Sequence, residues 1–339
     1  MNNNNSQRSM TWDELLDEYF FRKSLRPDTE WSYRKVVNVF RTFIGEGVCP
    51  DDVTARIVMH WRRHNLNVQQ LSSNTWNNKV RHMSALYREG MGAGLLSCAE
   101  NPFRGLIMKK AGKKKKTLSE SQMVKVYLTM EQMAEAERTG LLRGRPCALL
   151  PAWYWLTVLD VLRYTGMRLN QLLHLRLQDI HLSDEEITLC REGSKTHREW
   201  NVPAVRQVRD GLEKLLAEAS KRGAGPCDPL FHYERIVSSQ PEIEVYGAPA
   251  LQPVKSFFRR LSKECGFAVS SHRFRHTFAT ILMNSPDRNL PLVKGLLGHS
   301  SVSTTMEYID INMRVAAKTL ETELSLYTDK RQKEQLTGL

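Results

Sequence analysis

Residues 109 to 116 read Lys-Lys-Ala-Gly-Lys-Lys-Lys-Lys, six lysines in eight positions. Like charges at this density repel and present no apolar face, so the segment cannot join a core and is expected to run extended. It divides the chain into two stretches that must fold separately. With 339 residues in all, each side holds enough chain for a domain with its own core. A solvated tether with no partner would have the same composition. A strap that tracks a polyanion is the alternative reading.

The charge distribution points the same way. Residues 1 to 127 carry 21 Lys and Arg against 12 Asp and Glu, whereas residues 128 to 339 carry 28 against 25, within a net charge of +12. A basic first half is suited to following a phosphate backbone. The apolar fraction of 41% and the charged fraction of 25% are those of a globular protein. No run approaches the roughly 18 apolar residues of a membrane span, and the Asn-rich start lacks an apolar signal core, so a cytoplasmic protein is expected. The six cysteines are never paired as Cys-x-x-Cys, which argues against a zinc site or a disulfide framework and for free core thiols.

Along the chain, residues 1–10 are expected to be disordered and residues 11–108 to form a small all-helical domain. Thr11 and Glu14 make a capping box for a helix reaching Lys23. A second helix follows Pro27-Asp28 with Trp31, Val36, Val39, Phe40 and Phe43 on its apolar face. A third covers about Thr54 to His64, and Ser73 caps a fourth with Val80, Met83 and Leu86 inward. Residues 109–127 form the lysine-rich linker. Residues 128–339 form the second domain, opening on a helix capped by Thr129 with Gln132 at its third position. Helices near 152–164 and 168–176, strands at Glu186–Cys190 and Glu199–Val202, and helices from Val205 onward make the fold mainly α with a small antiparallel β-sheet.

The chemistry lies in four short motifs. Thr165-Gly166-Met167-Arg168 and His272-Arg273-Phe274-Arg275 each end on an arginine, whose planar guanidinium can meet the oxygens of a phosphate bidentately. His272 and Arg275 are three apart on a helix capped by Ser270 or Ser271, so both emerge on one face, and the helix dipole keeps a first-turn histidine neutral. His276 beside them is read as a core or supporting residue. Gly298 ends a helix over Leu292 to Leu297 and leaves His299 in a tight turn. Tyr308 follows nine residues later, on the next helix. Lys195, in the loop between the strands, would sit at a hairpin tip and could protonate a departing alkoxide. Arg168, Arg275, two histidines, a lysine and a tyrosine together suit phosphoryl transfer on a polymer, most simply DNA.

In this order and spacing, the Arg168 motif, Ser-Lys195-Thr-His-Arg-Glu-Trp-Asn-Val-Pro, His272-Arg-Phe-Arg275-His and Leu-Leu-Gly-His299-Ser-Ser-Val-Ser-Thr-Thr-Met-Glu-Tyr308 resemble the tyrosine recombinases of the phage-integrase family. The resemblance implies a helical, SAM-like core-binding domain followed by a catalytic domain, covering nearly the whole chain. It implies that Tyr308 forms a 3′-phosphotyrosyl link while Arg168, Arg275 and His299 stabilise the transition state. Lys195 would protonate the 5′ oxygen and His272 would assist proton transfer at the tyrosine, with no metal and no other cofactor. Double-stranded DNA bearing specific recombination sites is the implied partner, bound by a homotetramer that is a monomer or weak oligomer when free. Accessory directionality or DNA-bending proteins belong to the same picture, as does a nucleoid location in a prokaryote, phage or mobile element. Lys79, Arg81, Lys109, Lys110, Lys113, Lys114, Lys115 and Lys116 are the expected DNA-backbone contacts.

One position departs from the family. Gln171 stands where a Glu is usual, three residues after Arg168, and can hydrogen-bond a guanidinium but not hold it by charge. Beyond Tyr308, Met313, Ala316, Leu320, Leu324 and Tyr327 form an apolar stripe, which would pack on its own domain or, by the family's habit, dock on a neighbouring protomer. The expected task is integration or excision of a mobile element, with chromosome-dimer resolution or type IB topoisomerase-like relaxation as alternatives. A two-metal nuclease would need converging carboxylates, and the cluster Asp184-Glu185-Glu186 reads as a turn entering a strand.

Overall fold

The computed structural model describes residues 9–109, 116–141, 147–193, 198–238, 251–285, 289–299, 301–302 and 305. The chain separates into two compact units, Met1–Lys114 and Lys115–Leu339.

The first unit is helical: α1 (Trp12–Lys23), α2 (Pro27–Ile44), α3 (Ala55–Arg63) and α4 (Ser73–Gly92), with a π-helical turn over His64–Val68. The Thr11–Glu14 capping box opens α1, each side chain meeting the other residue's backbone N–H. Ser72, not Ser73, caps α4, because its hydroxyl is the one that reaches the Thr75 N–H at 3.2 Å. Val80, Met83 and Leu86 are buried as the periodicity predicts. On α2, however, Val37 and Phe40 carry the buried face, while Trp31 is 62% exposed and Val39 also faces outward. Apolar residues lie on both sides of this helix, so periodicity alone misplaces the stripe. Trp61 packs edge-on against Phe40 and Trp76 at the centre of the unit.

The second unit is built on α6 (Ala152–Thr165), which packs against α5 (Glu120–Arg138), α8 (Arg206–Lys221) and α11 (Ser271–Asn284). Its sequence is apolar nearly all round, as befits a helix with neighbours on several sides. α5 starts ten residues earlier than the sequence reading placed it, with Ser119 rather than Thr129 as its N-cap. Ser119 and Gln122 form its capping box, and the Thr129 hydroxyl instead donates back to the Lys125 carbonyl from within the helix. After α6 come α7 (Leu169–Leu173), then β1 (Ile180–His181), β2 (Glu186–Leu189) and β3 (Trp200–Pro203), an antiparallel sheet in that order. β1 was not anticipated; at two residues it carries no periodicity to read. Pairing of Ile187 with Val202 puts both inward. Among the described residues, α9 (Tyr233–Val237), α10 (Leu251–Cys265) and α12 (Leu290–Leu297) are the remaining α-helices of the unit.

The cysteines are free, but only Cys190 and Cys265 are buried; Cys49, Cys98 and Cys147 are partly covered and Cys227 is exposed. Among the described residues, no helix is long and apolar enough to cross a membrane.

Candidate active site

Arg275 is the hub of the site. Ser270 caps α11, accepting the Arg273 N–H, and this places Arg275 in the second turn on a face that turns inward. One terminal nitrogen, Nη1, donates to the Gly166 carbonyl at 2.7 Å, and Nη2 donates to the Leu297 carbonyl at 2.7 Å. Both acceptors lie at helix C-termini, where carbonyls lack intrahelical partners and the dipole favours a cation. The side chain is 5% exposed, so the charge is held in place by hydrogen bonds rather than by water.

Those C-termini exist because two glycines allow them. Gly166 ends α6 at φ +63° and Gly298 ends α12 at φ +60°, both in the left-handed region. A Cβ at 166 would overlap the Phe278 ring on α11, and one at 298 would overlap the indole of Trp200 on β3. Each turn is therefore pressed against another element of the site. The Trp200 indole N–H also reaches the Leu296 carbonyl at 3.3 Å, clamping β3 to the end of α12.

His299 follows immediately and is 6% exposed. Its Nε2 lies 3.0 Å from Arg275 Nη2, and its Nδ1 lies 2.9 Å from the Thr305 hydroxyl. A guanidinium only donates, so Nε2 must accept and the ring proton sits on Nδ1, directed at Thr305. Burial, then the charges of Arg275 and Arg168, push the imidazole down from 6.5 to about 4. The ring is neutral at physiological pH. That electrostatic influence also brings Arg168 into the same cluster: it stands at the N-cap of α7, directly after the Gly166 turn.

The substitution at 171 acts differently from the reading above. The Gln171 carbonyl Oε1 accepts the backbone N–H of Arg168 at 2.8 Å, while its Nε2 is buried with no hydrogen-bond partner among the described residues. Gln171 therefore fixes the start of α7 through the Arg168 main chain. Beside it, Asn170 Nδ2 donates to the Gly193 carbonyl at 3.2 Å, tying α7 to the loop two residues before Lys195.

His272 is exposed in the first turn of α11, on the side of Arg275, and His276 is half-buried in the next turn. Lys195 and Tyr308 lie outside the described residues, as do Lys110, Lys113, Lys114, Lys115 and the apolar stripe beyond Tyr308. Lys109, Lys116 and Arg81 are exposed. Lys79 is turned toward its own unit: Nζ donates to the buried Asn65 side chain and lies 5.3 Å from the centre of the Trp61 ring, and burial lowers its pKa. Sequence reasoning missed Thr305 and Trp200. Both stand inside quoted motifs, but nothing local distinguishes a threonine that orients a histidine from any other helical threonine.

Arg275 and a neutral His299 are thus buried in contact, with the half-buried Arg168 near enough to act on the ring electrostatically and Gly193 tethered to α7 beside them. Residues 116–314 match the phage integrase family. A relative named as tyrosine recombinase XerC from Pseudomonas syringae is 32% identical over 310 residues, covering 89% of this chain and 62% of that protein. One of the same name from Pseudomonas aeruginosa is 34% identical over 302 residues, covering 89% and 69%. Among solved structures, the Tn1549 transposon integrase in complex with transposon right end DNA superposes with a TM-score of 0.70 at 18% identity, covering 93% of this chain and 100% of that one. A lambda integrase tetramer bound to a Holliday junction superposes at 0.62 with 17% identity, covering 90% and 78%. At those identities the likeness is one of fold; the match to the family and the XerC-named relatives carry the assignment. The chain belongs to the phage integrase family, the tyrosine recombinases.

Proposed function

We propose that this protein is a site-specific DNA recombinase that cuts and rejoins strands through a 3′-phosphotyrosyl intermediate. The observation that carries the reading is the buried pairing of Arg275 with a neutral His299, on which the charge of the half-buried Arg168 also acts. The Tyr308 oxygen attacks the scissile phosphorus, giving up its proton with help from His272. The bond to the 5′ oxygen breaks, and Lys195 supplies the proton that makes it a hydroxyl. Arg168 and Arg275 meet the charge that gathers on the nonbridging oxygens. Attack by an incoming 5′-hydroxyl reverses the step, so each phosphodiester is conserved without ATP.

The core-binding domain, the lysine-rich linker and the catalytic domain grip double-stranded DNA, and four protomers exchange strands through a Holliday junction. Two tasks fit this chemistry. The XerC-named relatives favour a role on the chromosome, in dimer resolution, while the transposon and phage integrases of the same fold favour integration or excision of a mobile element. Trapping the protein on DNA in cells and sequencing the adducts separates them: one fixed chromosomal locus supports the first, element ends support the second.

Tyr308→Phe tests the chemistry. It should abolish covalent adducts on a nicked trapping substrate and leave DNA affinity nearly unchanged; persistent adducts would reassign the nucleophile. Relaxation of plasmids lacking any recombination site would favour a type IB topoisomerase-like activity instead.

A further inference from the structure

The two carbonyls that hold Arg275 stand on glycine turns, and an aromatic ring is pressed on each. Phe278, on the Gly166 turn, belongs to α11, the helix of Arg275 itself. Trp200, on the Gly298 turn, comes from β3, where pairing with Leu189 of β2 fixes its backbone. The six-membered ring of the indole makes the contact: a Cβ at 298 would lie 2.2 Å from Cζ2 and 2.3 Å from Cη2. Glycine lets the ring rest on bare backbone.

The turn beneath this ring delivers two groups to the site. The Leu297 carbonyl accepts from Arg275 Nη2, and His299 leaves the turn with its ring against the same nitrogen. Backbone bonds from the Gly298 N–H to the Gly295 carbonyl at 2.9 Å, and from the His299 N–H to the Lys294 carbonyl at 3.1 Å, close the turn from inside. They fix its shape but not its place in the unit. The short α12 packs on α11 and β3. Its buried residues Val293 and Leu297 join Ala279 and Met283 of α11 in a small cluster separate from the main core, whereas Trp200 packs against the main core. Trp200 therefore ties the end of α12 to that core, through its ring on Gly298 and its N–H on the Leu296 carbonyl.

We propose that Trp200 is a positioning residue for the reaction: its indole sets where the Gly298 turn stands, and through the turn the Leu297 carbonyl that orients Arg275 and the ring of His299. This rests on the reading that Arg275 and His299 act at the scissile phosphate. A side chain too short to reach Gly298 leaves the turn free to shift, and a misplacement of about 1 Å at groups that meet a transition state costs up to about 10² in rate.

The test uses the full chain. Trp200→Phe withdraws the six-membered ring of the indole together with the N–H; 3-benzothienylalanine introduced at 200 keeps the bicyclic shape and replaces the N–H by sulfur. Single-turnover adduct formation at saturating DNA, DNA affinity, urea unfolding and the NMR titration of His299 are measured for each. Trp200→Phe should slow adduct formation by about tenfold with affinity within about threefold. Its His299 imidazole, less shielded from water, should titrate higher than the wild-type value of about 4. The benzothienyl side chain should restore both the titration and, to within about threefold, the rate, because at 3.3 Å the indole N–H bond is the weaker of the two attachments. A loss of stability with the rate and the His299 titration unchanged would reduce Trp200 to a packing residue and overturn the proposal. So would a benzothienyl variant as impaired as Trp200→Phe. Absence of adducts from the wild-type protein would refute the recombinase reading on its own, and the His299 titration decides the placement in either case.

Discussion

The depressed pKa of His299 makes a quantitative claim about stability. In the folded protein the imidazole titrates near 4, against 6.5 for the ordinary group, because it is buried beside Arg275 and Arg168. The folded value lies below the unfolded one, so between the two the unfolded chain binds the proton and the native state does not. The contribution is complete above about pH 6.5 and is lost as the pH falls toward 4. Going from pH 7 to pH 5 should remove about 2 kcal/mol, from proton linkage with these two values. The assay is urea unfolding of the wild type and of His299→Gln at both pH values, followed by the tryptophan fluorescence of the second unit. Other titrating groups contribute to both proteins and largely cancel in the difference. The wild type should lose about 2 kcal/mol more than the variant; a difference under about 0.5 kcal/mol would refute the claim that the ring is held neutral by its surroundings. A phosphate at the site would oppose the two arginine charges, so saturating core-site DNA should raise the ring's apparent pKa, observable in its NMR titration.

Other predictions follow from the same geometry. Arg168→Ala and Arg275→Ala should each slow adduct formation by about 10² or more, the scale of one lost oxyanion contact, and rates near wild type would remove them from the site. Thr305→Val leaves His299 Nδ1–H without its acceptor and should slow cleavage by about tenfold, while Thr305→Ser should not; equal rates for the two would show that the hydroxyl does not set the tautomer. Gly166→Ala meets both a left-handed φ and the Phe278 ring and should destabilise the second unit by about 2 kcal/mol or more in urea melts. A loss under about 0.5 kcal/mol would mean that the turn and α11 separate freely.

Much of the local structure was written in short-range signals. Thr11 with Glu14, a serine at 270 or 271 before His272, and Gly298 after Leu297 are caps and stops whose chemistry acts within a turn or two of chain, so they can be read without knowing the fold, although the structure was needed to select Ser270. The lysine run likewise marks the division into units, because charge repulsion needs no tertiary partner. Where the pattern admitted two answers, the reading failed locally: Thr129 competes with Ser119 for the same helix start, and apolar residues flank α2 on both sides.

What the amino-acid order determined by itself was which residue types would be available and which turns would present them. Only the tertiary structure decided what they touch. Arg275 bonds a carbonyl 109 residues away in sequence, and His299 owes its neutrality to burial and to two arginines on other helices. Gln171 serves the Arg168 main chain, and Lys79 is turned into its own unit. The reason is physical: caps and repulsion are short-range and additive along the chain, whereas desolvation and long-range hydrogen bonds exist only once distant segments have packed together.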